Sequence, residues 1–187
     1  MDFHIPDAMR IEHDELHADL VRLAKAVGRT GDAAKGVAKV LHPHFVKENE
    51  YALPPLGLLI PLAEGRFDAG MADVLRLTDR LASDMPHMLV EHKQIVEAVK
   101  VLEQAATEEN NADGIAFARM LATHGKMGEE VTFPAPLLVG VVGQVRRGEA
   151  HGPVDQLVAG DLLGAGCVLA DVLDRARDHQ LERLLDE

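Results

Sequence analysis

The 187-residue chain carries 31 acidic against 19 basic residues, a formal net charge of -12, which repels phosphate backbones and anionic lipid and so argues against nucleic-acid or membrane partners. An apolar share of 47% with only 3% aromatics favours helices over sheets, and the length suffices for one core without staples. Cys167 stands alone, the start MDFHIPDAM lacks the basic and apolar regions of a secretory signal, and the apolar runs 136–145 and 157–173 are too short, or broken by Asp161 and Asp171, to span a bilayer. A soluble, cytoplasmic, all-α protein is expected.

The first predicted helix opens at Pro6 and Asp7, a plausible N-terminal cap, and runs to about Val27, where residues 28–31 end it. Its inward stripe is His13, Leu16, His17, Leu20, Ala24 and Val27. Only His13 and His17 are polar there, and either suits a metal while the other donates to a neighbour. The second helix starts near Asp32 and aligns Val37, Val40, Leu41, His44, Glu48 and Tyr51. Pro43 within it predicts a kink, Pro54 and Pro55 stop it, and residues 56–63 read as a short apolar connector.

The third helix runs from about residue 69 to 107, with Leu81, Met85, Met88, His92, Ile95, Val99 and Leu102 inward and a kink or a fresh start at Pro86. His87 lies about 140° from His92 on an ideal helix of about 100° per residue, so His92 is the one that fits the stripe. A polar turn over residues 109–113 leads to a fourth helix, reaching about Val145, with Phe117, Met120, Leu121, His124, Met127 and Val131 inward. Together these predict an antiparallel up-and-down four-helix bundle over residues 1–146. Residues 147–187 add a C-terminal helix, from Val154 to about Leu185 and weakened by Gly160, Gly164 and Gly166. That helix is expected to pack outside the bundle or to join a partner subunit in a homo-oligomer. The only internal repetition in view is histidine plus acid on the second and fourth helices.

Gathered across the bundle, the inward polar residues are His13 with His17, His44, Glu48, His92, His124 and an acid that follows His124. His44 and Glu48 stand one turn apart and so share a face, a two-point grip on a divalent metal; iron, manganese and zinc all accept that mixture of nitrogen and oxygen. One histidine on an apolar stripe is an ordinary core residue. Several imidazoles and a carboxylate buried without partners would cost on the order of a few kcal/mol each, which a shared metal relieves at once.

After His124 the run HGKMGEE places Gly128 four residues on, Glu129 five and Glu130 six. Glu129 then points about 140° away on a regular helix. It joins the site only through a π-type widening, which Gly128 would ease; otherwise Glu129 and Glu130 are solvated.

With EHDELH, LHPHFVKENEYALPPL, MLVEHKQIV and HGKMGEEVTFPAPLLVG in this order and spacing, the chain resembles the hemerythrin-like, or HHE cation-binding, family over about residues 5–142. The resemblance implies a four-helix bundle around two non-haem iron ions. His13, His44, His92 and His124 would be terminal ligands, and Glu48 and Glu129 bridging carboxylates; zinc or manganese are alternative metals. Three departures stand out. Gly128 takes a position where many members have an acid, Met88 replaces a histidine of the third helix, and the tail after about Gly143 has no counterpart. The Met88 departure leaves His17, Glu91 or water to complete one iron, with His87 off register.

The expected function is a protein that binds or senses dioxygen, nitric oxide or iron. The alternatives are a di-iron enzyme that reduces peroxide or oxidises iron, and a metal-depleted interaction module.

Overall fold

The three-and-four apolar spacing folds as helix throughout the computed structural model, which describes residues 3–66 and 69–147. The helices are α1 (Asp7–Ala24), α2 (Arg29–Lys47), a short α3 (Leu59–Ala63), α4 (Leu75–Glu108), α5 (Ala112–Met127) and α6 (Pro134–Arg147). Two 3₁₀ turns, Pro54–Leu58 and Ala69–Val74, flank α3. Met1–Gly143 forms one compact unit, and within it α1 packs on α2, α2 on α4, α4 on α5 and α5 back on α1. The protein is all-α, with four helices packed as a bundle.

Both tight connections lie at one end of that bundle. There Arg22 of α1 reaches Asp113 of α5 at 2.5 Å, and Arg29 of α2 pairs with Glu108 of α4. Neighbouring helices therefore run antiparallel. The same end carries an unusual cap, because α2 has no capping side chain of its own. The Glu109 carboxylate accepts from Arg29 N at 2.7 Å, Thr30 N at 3.0 Å and Thr30 Oγ1 at 2.7 Å. It fills orphan donors and faces the positive end of the helix dipole. Gly28, at φ 109°, makes room for it: a Cβ there would fall 2.7 Å from Glu109 Oε1.

Apolar residues from all four helices fill the bundle on this side of its middle, among them Leu16, Leu20, Leu41, Val99, Leu102, Phe117 and Leu121. Each large side chain so buried contributes about 1.5–3 kcal/mol. Beyond the middle a second cluster gathers Tyr51, Ala52, Leu81, Met88 and Phe133. A third joins Leu58, Met71, Val74 and Val139, where α6 closes on the start of α4. Gly140 permits that approach, since a Cβ would lie 2.5 Å from Thr78 Oγ1.

Several expectations change in detail. Asp7 is the first residue of α1 and makes no side-chain cap. Val27 is fully exposed, because α1 has already ended at Ala24, and Met120, Met127 and Val131 also face outward. α2 begins at Arg29, ahead of Asp32, on the strength of the Glu109 cap. No break occurs at Pro86: α4 continues through it, as α2 does through Pro43. Each proline, and the residue four before it (Ala82, Lys39), is exposed, so the carbonyl left without a donor lies on a water-facing side. The fourth predicted helix is two, α5 and α6, divided by a turn described below. No extra C-terminal helix can be assigned: the segment 154–185, with the subunit contact expected of it, lies outside the described residues. No described helix is long and apolar enough to cross a membrane.

Candidate metal centre

α2 and α5 end in the same way. Each passes into a π turn, Glu48–Ala52 and Gly128–Thr132, closed by a bond from Leu53 N to Glu48 O at 2.8 Å and from Phe133 N to Gly128 O at 2.9 Å. Each is followed by a proline, Pro54 or Pro134, which has no N–H to carry on a regular ladder. The widening begins only after the turns that join His44 to Glu48 and His124 to Gly128. Gly128 N still bonds back to His124 O, so Gly128, not Glu129, holds the inward position.

Between the first two apolar clusters four imidazoles converge on Glu48. His13, His44, Glu48, His92 and His124 are all buried. His13 Nε2 lies 3.4 Å from Glu48 Oε2, His44 Nε2 3.5 Å from Glu48 Oε1, and His124 Nε2 4.0 Å from Glu48 Oε2. His44 and His92 bring their Nε2 atoms to 2.9 Å. The donors form two groups, His13–Glu48–His124 and His44–Glu48–His92, with the donor atoms of each within 4.8 Å of one another.

Every Nδ1 is engaged on the outside. His13 donates to Asn49 Oδ1 at 3.2 Å, His44 to Glu91 Oε2 at 3.0 Å, and His92 to Glu129 Oε1 at 3.0 Å. His124 Nδ1 faces Glu12 Oε1 at 3.2 Å. The carboxylates and Asn49 Oδ1 accept, so each Nδ1 carries a proton, and in the neutral form of each ring an Nε2 lone pair turns inward. Outer carboxylates that fix tautomer and ring angle are the usual support of metal-binding histidines. Glu91 is steadied in turn by Lys47 at 2.7 Å, which also meets Asp84 at 3.1 Å. The Tyr51 hydroxyl donates to Asp84 at 2.6 Å, and with Lys47 and His87 it holds that carboxyl down at about 2.

These contacts repeat between the halves α1–α2 and α4–α5 at a nearly constant offset in the chain. Glu12 and Glu91 precede His13 and His92 and reach across to His124 and His44. Asn49 and Glu129 follow Glu48 and Gly128 and reach His13 and His92. The internal repeat is thus wider than the histidine-plus-acid pair legible in sequence. Among the inward positions where it breaks, Glu48 is matched by Gly128 and Phe45 by Gly125.

The electrostatics follow from this arrangement. Burial raises the Glu48 carboxyl, but the imidazoles of His124 and His44 overcome it and hold the group well below the usual carboxylate range. Burial lowers His124, yet Glu12 and Glu48 raise it to about 9. For His44 burial is likewise outweighed, by Glu48 and Glu91, and the group is raised. Burial lowers His13 and, with the nearby His44, also His92.

Two observations test whether this set fits a metal. His13 Nε2 and Glu48 Oε2 are buried without a hydrogen-bond partner, which normally costs about 1–3 kcal/mol apiece and more for a charged group. The 2.9 Å between His44 and His92 brings two inward lone pairs together, a separation that only a shared proton or ion makes favourable. Two nitrogens bound to one ion at about 2.0–2.1 Å and roughly 90–110° would stand about 3 Å apart. The donor set fits.

Of the residues singled out in sequence, the structure brings together His13, His44, Glu48, His92 and His124. It does not bring in His17, which is exposed and 6.4 Å from His42, ring centre to ring centre. Glu129 stands outside both groups, 48% exposed, on the outer nitrogen of His92. Glu130 is exposed beside Lys126, His87 is 80% exposed beside Asp84, and Glu91 serves His44 from outside. Glu12 and Asn49 do not stand out in the sequence pattern. The signal for Glu12 is the Glu–His pair at both 12–13 and 91–92: a neighbour about 100° round the helix faces the next helix rather than the centre. No family model, curated protein or solved structure matches this chain.

Proposed function

We propose that this is a non-haem di-iron protein of the hemerythrin-like kind, which binds or senses dioxygen, nitric oxide or iron itself. In this reading His13 and His124 hold one ion, His44 and His92 the other, and Glu48 is shared. The observation that carries it is the inward set of four Nε2 atoms and one carboxylate, with His13 Nε2 and Glu48 Oε2 buried without a hydrogen-bond partner. Iron bound there would supply reversible one-electron chemistry and open coordination positions. The chain's own residues hold the ring tautomers through Glu12, Asn49, Glu91 and Glu129.

Elemental analysis of protein purified without chelator, read with its near-ultraviolet and visible spectrum, is the test. Two irons per chain and a change of absorption when the reduced protein meets dioxygen or nitric oxide are expected. Protein that takes up no metal would leave the bundle as an interaction module only.

A second reading, an enzyme that reduces peroxide or oxidises iron, is favoured by a surface cleft lined in part by His44, His92 and His124. It requires steady turnover that His44→Ala abolishes.

A further inference from the structure

Two surface clefts occupy matching positions of the two halves of the bundle, and they differ in what they reach. The first, about 390 Å³, lies on α1 and α2 and is lined by Leu20, Leu41, His42 and Phe45. The second, about 300 Å³, includes the counterparts of those residues on α4 and α5, namely Val99, Leu121, Ala122 and Gly125, and shares Leu41 and Phe45 with the first. The second continues inward to His44, His92 and His124; the first touches none of the five convergent residues.

One position accounts for the difference. Phe45 is buried and its ring stacks on His13 at 4.1 Å, 9° from parallel, so the first cleft ends on an aromatic plug. At the matching position Gly125 has no side chain, and a Cβ built there meets nothing within 4 Å. One turn further along, Gly128 stands where the first half has Glu48, so no second carboxylate closes the inner end.

We propose that the gap at Gly125 is the port by which a small linear ligand of two or three atoms reaches the metal centre, while Phe45 keeps the matching cleft shut. The inference rests on the metal reading above and deepens it. The port has an apolar wall of Val96, Val99, Leu121 and Ala122, with Lys100, Glu103, Lys126 and Glu129 also on its lining; the apolar wall suits a small, weakly hydrated ligand, and the lysines leave a small anion such as azide a path inward. Gly125 acts on access and not on the metal: its side of the helix carries no ligand atom.

The test uses the full chain, loaded with iron, as wild type, Gly125→Ala and Gly125→Phe, with azide as the probe. All three should carry equal iron by elemental analysis. Azide association should be slowed about tenfold or more in Gly125→Phe, with the same final spectrum, and be near wild type in Gly125→Ala. Gly125→Leu replaces the phenylalanine variant if that one does not fold. Equal azide association in the bulky and wild-type proteins, at equal iron, would overturn the port and leave the metal reading standing. Absence of iron from every variant would remove the metal reading and the port with it. Xenon-129 NMR of the metal-free chain gives a readout independent of metal. A protein-induced xenon shift that shrinks in the bulky variant supports an open cleft at Gly125, and a shift of the same size in both proteins overturns that placement.

Discussion

His44 and His92 meet Nε2 to Nε2 at 2.9 Å while each has its Nδ1 committed to a glutamate. An ion between them turns repulsion into shared ligation, so binding should stabilise the fold. Ferrous or zinc ions added to chelator-treated protein are expected to raise Tm, by about 2.7 kcal/mol of stability at a free concentration of a hundred times Kd. His92→Ala should lose most of that gain. A wild-type Tm indifferent to metal would mean that a shared proton is what holds the pair.

Because Glu48 belongs to both donor groups and His13 to one, their substitutions should differ in stoichiometry. Glu48→Gln is expected to bring metal content below one ion per chain. His13→Ala should retain about one, on the His44–His92 side. Elemental analysis of the two variants, prepared side by side, distinguishes a shared carboxylate from two independent sites; equal losses would count against sharing.

The metal-free protein should show an unusual histidine. His124, raised to about 9 by Glu12 and Glu48 against the effect of burial, is an imidazolium at neutral pH, whereas an unfolded histidine titrates near 6.5. Its contribution to stability is therefore complete below about 6.5 and disappears as pH rises towards about 9. Imidazole NMR should find one midpoint in that upper range, moved down by Glu12→Gln. His13 and His92, both lowered, should titrate below the ordinary value.

Acid should attack the other end of the bundle. The α2 amides and the Thr30 hydroxyl hold Glu109 below its ordinary value, the Thr30 bonds foremost. A lowered carboxyl stabilises above its unfolded pKa and ceases to do so as pH falls through the folded one. Tm followed from pH 6 to pH 3 should fall more steeply in the wild type than in Glu109→Gln, which starts lower. Parallel curves would show that the cap adds nothing.

The bundle and its five convergent residues were legible because a helix repeats every 3.6 residues: His13, His44, His92 and His124 sit on the same stripes as Leu16, Leu41, Ile95 and Leu121. Cross-helix partners were not legible. Glu12 and Asn49 are one residue away from an inward position, on the flank of their helices, and only the neighbouring helix gives that flank a use. A π turn is what the sequence requires to bring Glu129 inward, but its register depended on Pro134. The turn opens just after Gly128, so the widening sends Glu129 towards α4 instead. Gly125 looked like any helix glycine until the matching cleft showed Phe45 in the same place.

The outer acceptors also settle an account of charge. Two divalent ions would bring four positive charges into a buried space, where an uncompensated charge is costly. Glu48 offers one negative charge, and Glu12, Glu91 and Glu129 stand one bond behind the imidazoles with three more; Lys47 is offset by Asp84. Asn49, the one uncharged acceptor, keeps the sum at neutrality. If two metal ions bind there, the pocket would suit a divalent pair, and each electron lost would leave one positive charge that an incoming anion can balance. Affinity for anions should therefore follow oxidation state.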